Sequence, residues 1–431
     1  MNRLGLYIFF IIVLIPIMVL SEWKDISIRN RKEKIYSVDV KNKDLNIKES
    51  DFEKLTDSIV AVGWSSTNGA LFISNDGGRN WEVHEIQAFF PFAVEFLDNG
   101  NLFVCGYNYI TDNAEVNIFD LNGRQLESYA FDGENLPYLK NLFDCTVDSF
   151  KVLTTGYQGS VLLFDKEEHK WEQILVDPSK VFIKIKKFTF NTSQGVLTVG
   201  FLLGGKSFLL PEAIYFSNSP YKDWQMLYDF GRAYKGIEVI DFWFYDWDIE
   251  NNFPFGFVIG LIDDTLAVFE ANPNEQNFTK IYFEQTTSQP LGMYCFEINK
   301  TIIVPFDNGK LLKSENFGQT WHYVENNANK QLLAVKFFKY WSESLLPEIF
   351  WNNVIILGFG SDGFITKYDM DLSLQVETSF PKRECDFDEI CVFDLLGREI
   401  GMFDRQNLDR WLNLQNSIDG IYLVVKFVNG I

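Results

Sequence analysis

A short apolar run that ends in glycine recurs along this chain, and no other feature constrains its fold as strongly. The copies read SIVAVG (58–63), NLFVCG (101–106), KVLTTG (151–156), VLTVG (196–200), FVIG (257–260) and VIILG (354–358). A seventh, TIIVPF (301–306), carries Pro305 at the marker position. With Gly63, Gly106, Gly156, Gly200, Gly260, Pro305 and Gly358 as markers, the spacings are 43, 50, 44, 60, 45 and 53 residues. Such lengths match one propeller blade per repeat. Another strand-like run precedes each marker, such as FAVEFLD or KFTFN. A turn and a third strand follow it: GALFIS, AEVNIFD, GSVLLFD, AIYFS, DTLAVFE, GKLLKS and GFITKYD. A polar turn then leads into a fourth strand.

Four strands per unit, joined by Gly/Asn/Asp turns, predict an all-β chain folded as a β-propeller. The count is about seven blades, and the two chain ends leave six or eight open. One blade has two apolar faces and cannot bury both, whereas radial stacking covers each face with a neighbour and ring closure leaves short edges. Propellers seal the ring by completing one blade from both termini, and KIYSVDV (34–40) is placed to supply that closure. Composition agrees. Hydrophobic residues make up 47% of the chain and aromatics 16%, with 42 Phe, and such rings suit the pleated face of a sheet.

The first residues read as a targeting segment. Leu4 to Leu20 is continuously apolar after Asn2 and Arg3, and Val19 and Ser21 offer small residues for cleavage after Ser21. Residues 1–21 are therefore a signal peptide or an N-terminal anchor, which sends the chain to the cell envelope (periplasm or outer surface) or out of the cell. Residues 22–54 form a lead-in that contains the ring-closing strand, 55–380 form the propeller, and 385–431 form a small C-terminal β segment. The five cysteines, Cys105, Cys145, Cys295, Cys385 and Cys391, are scattered and include no CxxC. Cys385 and Cys391 are close enough to pair, most of the five read as buried small hydrophobes, and the set is neither a disulfide framework nor a zinc site.

Formal charge is −21, from 38 basic and 59 acidic residues. Such a field repels phosphate backbones, which argues against nucleic acid as a partner and limits membrane contact to the N-terminal segment. It permits cationic partners without showing one. No cofactor is indicated.

Two copies of one turn stand between third and fourth strands: SNDGGRNW (74–81) and SENFGQTW (314–321). Asp76 and Asn316 are placed to hydrogen-bond their own turns, Gly78 and Gly318 to take a conformation open to glycine, and Trp81 and Trp321 to pack on the blade. With Ser74 and Ser314 these copies fit S-x-[D/N]-x-G-x-x-W, which resembles the Asp-box, or BNR, repeat. Looser relatives, SNSPYKDW (217–224) and DKEEHKW (165–171), hold the same blade position. Residues of roughly 55–380 resemble the Asp-box propellers of sialidases, sortilin-type receptors, xyloglucan-cleaving glycosidases and photosystem II assembly factor-like proteins. The resemblance implies that these turns are peripheral fold elements, remote from the central site.

Catalytic signals are weak by comparison. A sialidase-like site needs three arginines on a carboxylate and a Tyr–Glu pair. Beyond residue 21 the arginines are Arg29, Arg31, Arg79, Arg124, Arg232, Arg383, Arg398, Arg405 and Arg410, with no FRIP-like segment before the first box. Retaining or inverting glycosidases need two carboxylates about 5–10 Å apart, and nothing in the sequence marks such a pair. His84, His169 and His322 each lie beside a Trp that ends a blade turn, which suggests three outer-strand positions and no convergent site. DWDIENN (246–252) lacks the Gly and terminal Glu of a calcium loop and reads as a solvated insertion in the longest repeat.

After about residue 380 the repeat stops. The strand Val392–Phe393–Asp394, the turn Gly397–Arg398 and the strand Gly420–Ile421–Tyr422–Leu423 resemble the C-terminal sorting domain of type IX secretion substrates in the Bacteroidetes. That resemblance implies secretion machinery as a partner. The Asn-Pro opening usual in such domains is absent, and VNIFDLNGRQLESY (116–129) shows a similar strand–Gly–Arg turn, so an extra partial blade stays open. The sequence thus reads as an exported, non-catalytic propeller scaffold that binds protein or glycan through one face of the ring. The competing reading is a polysaccharide-active glycoside hydrolase with a carboxylate pair in the central cleft. An assembly factor of the photosystem II type fits less well with such an acidic chain.

Overall fold

In the computed structural model, residues 24–371 are described except 26, 29–33, 41–57, 65–67, 132–141, 148–150, 157–158, 167, 169, 207–209, 297–299, 325–330, 344–349 and 362–363. Beyond them it describes the segments 390–394, 399–403 and 422–426. The targeting segment 1–21, His169, Cys385, Gly397, Arg398 and Gly420 lie outside the described residues.

Seven four-stranded antiparallel sheets form a β-propeller. Blade 1 runs Lys34–Val40, Ile59–Trp64, Gly69–Ser74 and Glu82–Ile86, from inner to outer strand. Blade 2 runs Phe89–Phe96, Leu102–Asn108, Asn113–Phe119 and Gln125–Phe131. Blade 3 runs Leu142–Val147, Lys151–Gly156, Ser160–Asp165 and Lys170–Leu175, and blade 4 Val181–Thr192, Gly195–Gly205, Pro211–Asn218 and Gln225–Asp229. Blade 5 comprises Ile237–Asp248, Phe253–Ile262, Thr265–Asn272 and Asn277–Gln285, and blade 6 Tyr294–Phe296, Thr301–Pro305, Leu311–Ser314 and His322–Val324. Blade 7 takes Ala334–Glu343, Phe350–Phe359 and Ile365–Asp371 from the far end of the chain and Lys24–Asp25 from the near end.

The closing strand is therefore not KIYSVDV. Lys34–Val40 is the inner strand of blade 1, and closure falls to Lys24–Asp25, with Lys24 opposite Lys367 and Asp25 opposite Thr366. Ser27 extends the seam, its hydroxyl donating to Ile365 O and accepting from Ile365 N, each at 3.2 Å. In that inner position Lys34–Val40 buries Ile35, Val38 and Val40.

Second and third strands are buried almost without interruption, as in IVAVG and ALFIS of blade 1, whereas outer strands alternate. Neighbouring blades cover both faces of the middle strands, so these read as continuous apolar runs. Separate apolar clusters fill the interfaces between blades 1 and 2, 2 and 3, 3 and 4, 4 and 5, and 5 and 6.

The recurrent glycine follows from a bulge. In blades 1 to 5 the inner strand shifts register between Ile35/Ser37, Pro91/Ala93, Leu142/Asp144, Phe182/Lys184 and Val239/Asp241. The residue opposite the start of each shift is Gly63, Gly106, Gly156, Gly204 and Gly260. A Cβ at Gly63 would meet Lys34 O at 2.5 Å, and one at Gly106 would meet Phe90 O at 2.1 Å. Bulge and glycine are thus one device. Blade 4 corrects the sequence register: its marker is Gly204, whereas Gly200 pairs with Lys187 farther along an extended hairpin.

DWDIENN is likewise not an insertion. Asp246, Trp247 and Asp248 end the inner strand of blade 5, Trp247 is buried, and the turn that follows is capped by Asp248. The long repeat comes from long strands here and in blade 4, and from a one-turn helix at Phe230–Ala233 capped by Asp229.

The chain divides into two compact units: residues 1–41, 56–338 and 355–370, and residues 42–55, 339–354 and 371–431. The C-terminal strands of the second unit form a three-stranded antiparallel sheet in the order Glu399–Phe403, Ile390–Asp394, Tyr422–Lys426. Asp394 pairs with Tyr422 across it, and this sheet shares no strand with the seven blades.

Candidate functional site

The two motif turns have the same construction. Ser74 donates to Asp76 Oδ1 (2.9 Å) and accepts from Gly78 N (2.8 Å), and Asp76 Oδ1 accepts from Asn80 N (2.8 Å). Ser314 donates to Asn316 Oδ1 (3.1 Å) and accepts from Gly318 N (2.8 Å), and Asn316 Oδ1 accepts from Thr320 N (2.8 Å). Burial alone would raise the Asp76 carboxyl, but the donors from Asn80 and Ser74 hold it below its ordinary value. Trp321 donates its indole N–H to Gly318 O (3.0 Å) and packs on Tyr282 with ring centres 5.0 Å apart. Trp81 and Trp321 are half-buried, not buried as the motif suggests. Trp321→Ala is accordingly expected to cost about 2 kcal/mol, below the range for a fully buried Trp. A denaturant midpoint equal to that of the wild type would show that this ring carries no stability.

Antiparallel order puts these turns at the end of the ring opposite to where inner strands begin. His84 and His322 lie on outer strands of different blades, 1 and 6, and do not converge. Among the described residues no group of three or more His, Cys, Asp or Glu is placed to hold a metal ion.

Charge converges instead on the inner strands. Each bulge interrupts the ladder, and at or just beyond it inner-strand carboxylates lace neighbouring blades. Asp39 of blade 1 accepts from Phe96 N of blade 2 (2.8 Å), and Asp144 of blade 3 from Ile185 N of blade 4 (3.0 Å). Asp241 of blade 5 accepts from Met293 N at the entry to blade 6 (3.0 Å). Lysines answer them. Lys336 of blade 7 lies 2.7 Å from Glu95 and 3.4 Å from Asp39, while Lys186 and Lys184 lie 2.7 and 3.2 Å from Asp241. Lys184 and Lys186 also donate to the Ile240 and Phe242 carbonyls of blade 5.

Crowding tunes these groups. Burial pushes the Glu95 carboxyl up to about 7, against the pull of Lys336 and with help from Asp39. Burial raises Asp144 as well. Burial would raise Asp241 too, but Lys184 and Lys186 hold it below its ordinary value. Lys186 is lowered by burial, and Lys336 is raised because Asp39 and Glu95 outweigh its desolvation. These carboxylates are committed to backbone donors and lysines of adjacent blades, so they act as ties across the ring. Such ties are not the open acid and base that glycoside hydrolysis requires.

A second feature lies at the end of the ring where inner strands begin. Tyr36 stacks on Trp64 (5.1 Å, 3°), Trp64 meets Phe90 (4.7 Å), and Phe90 stacks on Tyr109 (5.0 Å, 28°) and contacts Tyr107 (6.4 Å). Phe92 joins Tyr36 to Phe143 of blade 3, with ring centres 5.7 and 5.8 Å away. Lys34 Nζ sits 5.1 Å from the Tyr36 ring centre. The row emerges at Tyr109, 40% exposed, beside Ile110, 71% exposed. The indole N–H of Trp64 has no hydrogen-bond partner among the described residues.

Neither feature is among the expectations drawn from the sequence. A signal existed for each: a charged residue inside an otherwise apolar first strand, and an aromatic directly after the marker glycine, as in Gly63–Trp64 and Gly106–Tyr107.

No protein-family model and no curated protein matches this chain. Solved structures do match. "YCF48 bound to D1 peptide" is 12% identical, with 80% of this chain and 96% of that one covered and a TM-score of 0.51. "YCF48 from Cyanidioschyzon merolae" is 11% identical, with 81% and 99% covered and a TM-score of 0.52. At this identity the likeness shows the propeller fold.

Proposed function

We propose that this chain is an exported, non-catalytic propeller scaffold that seats an extended, positively charged protein segment on the aromatic end of its ring. The observation that carries the reading is the row from Tyr36 to Tyr109. Semi-exposed aromatics are the usual anchors of protein interfaces, since they contribute large contact area at low entropic cost. Charge supports a basic partner: the chain carries −21, and Lys34 already shows a cation over Tyr36. One of the similar structures is described as bound to a peptide. Residues 1–21 fit the role by directing export, and the C-terminal strands 390–394 and 422–426 fit a sorting segment read by secretion machinery.

The test is binding of labelled extended peptides of net positive, neutral and net negative charge to the full propeller. Positive peptides are expected to bind best, and more weakly as salt rises. Tyr109→Ser is expected to lower affinity about tenfold or more, as loss of an aromatic anchor does. Equal binding of all three charges, or a Tyr109→Ser variant that binds like wild type, would sink the reading. Binding of a glycan array lost on the same substitution would turn it to carbohydrate recognition.

A further inference from the structure

Granted the basic segment proposed above, we infer that its anchor is an arginine, with the guanidinium laid on Tyr109 and its N–H groups turned to the Asp112 carboxylate. Tyr109 and Asp112 belong to the turn between the strands Leu102–Asn108 and Asn113–Phe119 of blade 2. Tyr107, whose ring contacts Phe90, donates its hydroxyl to Asp112 Oδ1 (2.7 Å) and so brings a carboxylate to the exposed end of the row. That hydrogen bond, then burial, raises the Tyr107 phenol, so the proton stays on Tyr107 and the negative charge on Asp112. The turn is held before any partner arrives. Asn108 Oδ1 accepts from Ile110 N (3.0 Å) and Thr111 N (3.2 Å), and Tyr109 N donates to Ala88 O (3.1 Å). Asn108 Nδ2 donates to Glu115 Oε2 (2.6 Å), and Glu115 Oε1 accepts from Asn117 Nδ2 (2.8 Å). Asn117 Oδ1 in turn accepts from Gln125 Nε2 (2.8 Å). Glu115 and Asn117 are buried, so a polar chain runs inside blade 2 from its outer strand to this turn. A site fixed in this way loses little freedom on binding.

Geometry favours a planar cation. Tyr36 and Trp64 lie at 3° to each other and Phe90 and Tyr109 at 28°, so the row is a set of stacked faces that one more flat group can lengthen. Tyr109 is its outermost ring and is 40% exposed. A guanidinium stacks flat on such a ring and keeps its edge N–H groups for an acceptor, whereas an ammonium is a strongly hydrated point charge with no flat face. A carboxylate accepts several hydrogen bonds, so Asp112 can receive the guanidinium with the Tyr107 hydroxyl still in place. At the other end of the row Lys34 Nζ lies 5.1 Å from the Tyr36 ring centre, which shows that these rings take a cation. An anionic side chain would meet the charge of Asp112 instead and be repelled.

The test uses the full chain and extended basic peptides identical except at one position, which is Arg, Lys, citrulline or trimethyllysine. The Arg peptide is expected to bind about tenfold more tightly than the Lys peptide, and more tightly than citrulline, which is flat but uncharged. Asp112→Asn is expected to abolish the difference between the Arg and Lys peptides. Tyr107→Phe, which removes only the hydroxyl that holds Asp112, should narrow the same ratio and leave the Lys peptide unchanged. The peptide comparison on the unaltered chain decides the matter even where a variant fails to fold. Arg and Lys peptides of equal affinity, with Tyr109→Ser still weakening both, would overturn the arginine anchor and leave the basic-partner reading standing. Citrulline or trimethyllysine bound as tightly as Arg would overturn it as well. Binding of every peptide without regard to Tyr109 would end both.

Discussion

Trp247→Ala is expected to destabilise the propeller by about 3–5 kcal/mol, the range for a buried Trp emptied into a packed core. The indole is 5% exposed and lies among the rings of Phe216, Phe201 and Phe190, at 5.3, 5.9 and 6.0 Å. Those rings belong to blade 4, so the cavity would open at the blade 4–blade 5 interface, where rigid strands cannot collapse to fill it. Asp248→Ala, one residue away, should cost much less. It removes a turn cap to Asn251 N (3.0 Å) and Asn251 Nδ2 (2.9 Å) and no packing. Chemical denaturation of both variants checks the contrast. If Trp247→Ala unfolded at the wild-type midpoint, the segment would be a solvated loop after all.

Lys336→Met should cost about 3 kcal/mol at pH 8, and less at pH 5. Removing the lysine leaves the Asp39 and Glu95 carboxylates of blades 1 and 2 without the cation that blade 7 supplies, and an uncompensated buried charge is costly. The side chains of Lys336 and Glu95 are 30% and 20% exposed, which keeps the expected cost at the lower end of the buried-pair range. The pH dependence follows from Glu95. Its carboxyl binds a proton near pH 7 in the folded chain, against an ordinary value of 4.5. Stability from this group is therefore full below about pH 4.5 and is lost as pH rises through 7. Protonated Glu95 needs no cation, so acid relieves the variant. Glu95→Gln should flatten the stability profile between these two pH values. Asp241, held low by its lysines, works in the opposite sense and loses its contribution only at more acid pH. Denaturant midpoints across pH 4 to 9 decide the matter, and a Lys336→Met penalty independent of pH would refute the role given to Glu95.

Much of the fold was legible in the sequence because its signals are local. The turns 74–81 and 314–321 are built from hydrogen bonds spanning two to four residues, so their chemistry is written in consecutive letters. The marker glycine is almost as local, since it answers a carbonyl on the strand next to it. Register already exceeds that reach: VLTVGFLLGG contains Gly200, Gly204 and Gly205, and strand pairing selects Gly204. Closure went the same way, because choosing between residues 24–25 and 34–40 depends on which strand finds the far end of the chain.

The residue types of the candidate site left a trace in the sequence, but their pairing lay beyond its reach. Lys336 and Glu95 meet across 241 positions, and Asp39 reaches Phe96 across 57. A charged residue inside an apolar strand looks the same in sequence whether it meets water, a lysine or a backbone N–H of the next blade. The aromatic row is similar, drawn from strands of blades 1, 2 and 3 that only ring geometry lays side by side. Local chemistry determined that this chain would make blades and where each would turn. The radial packing of those blades decided which side chains share the centre of the ring, because only that packing sets distances between residues far apart in the chain.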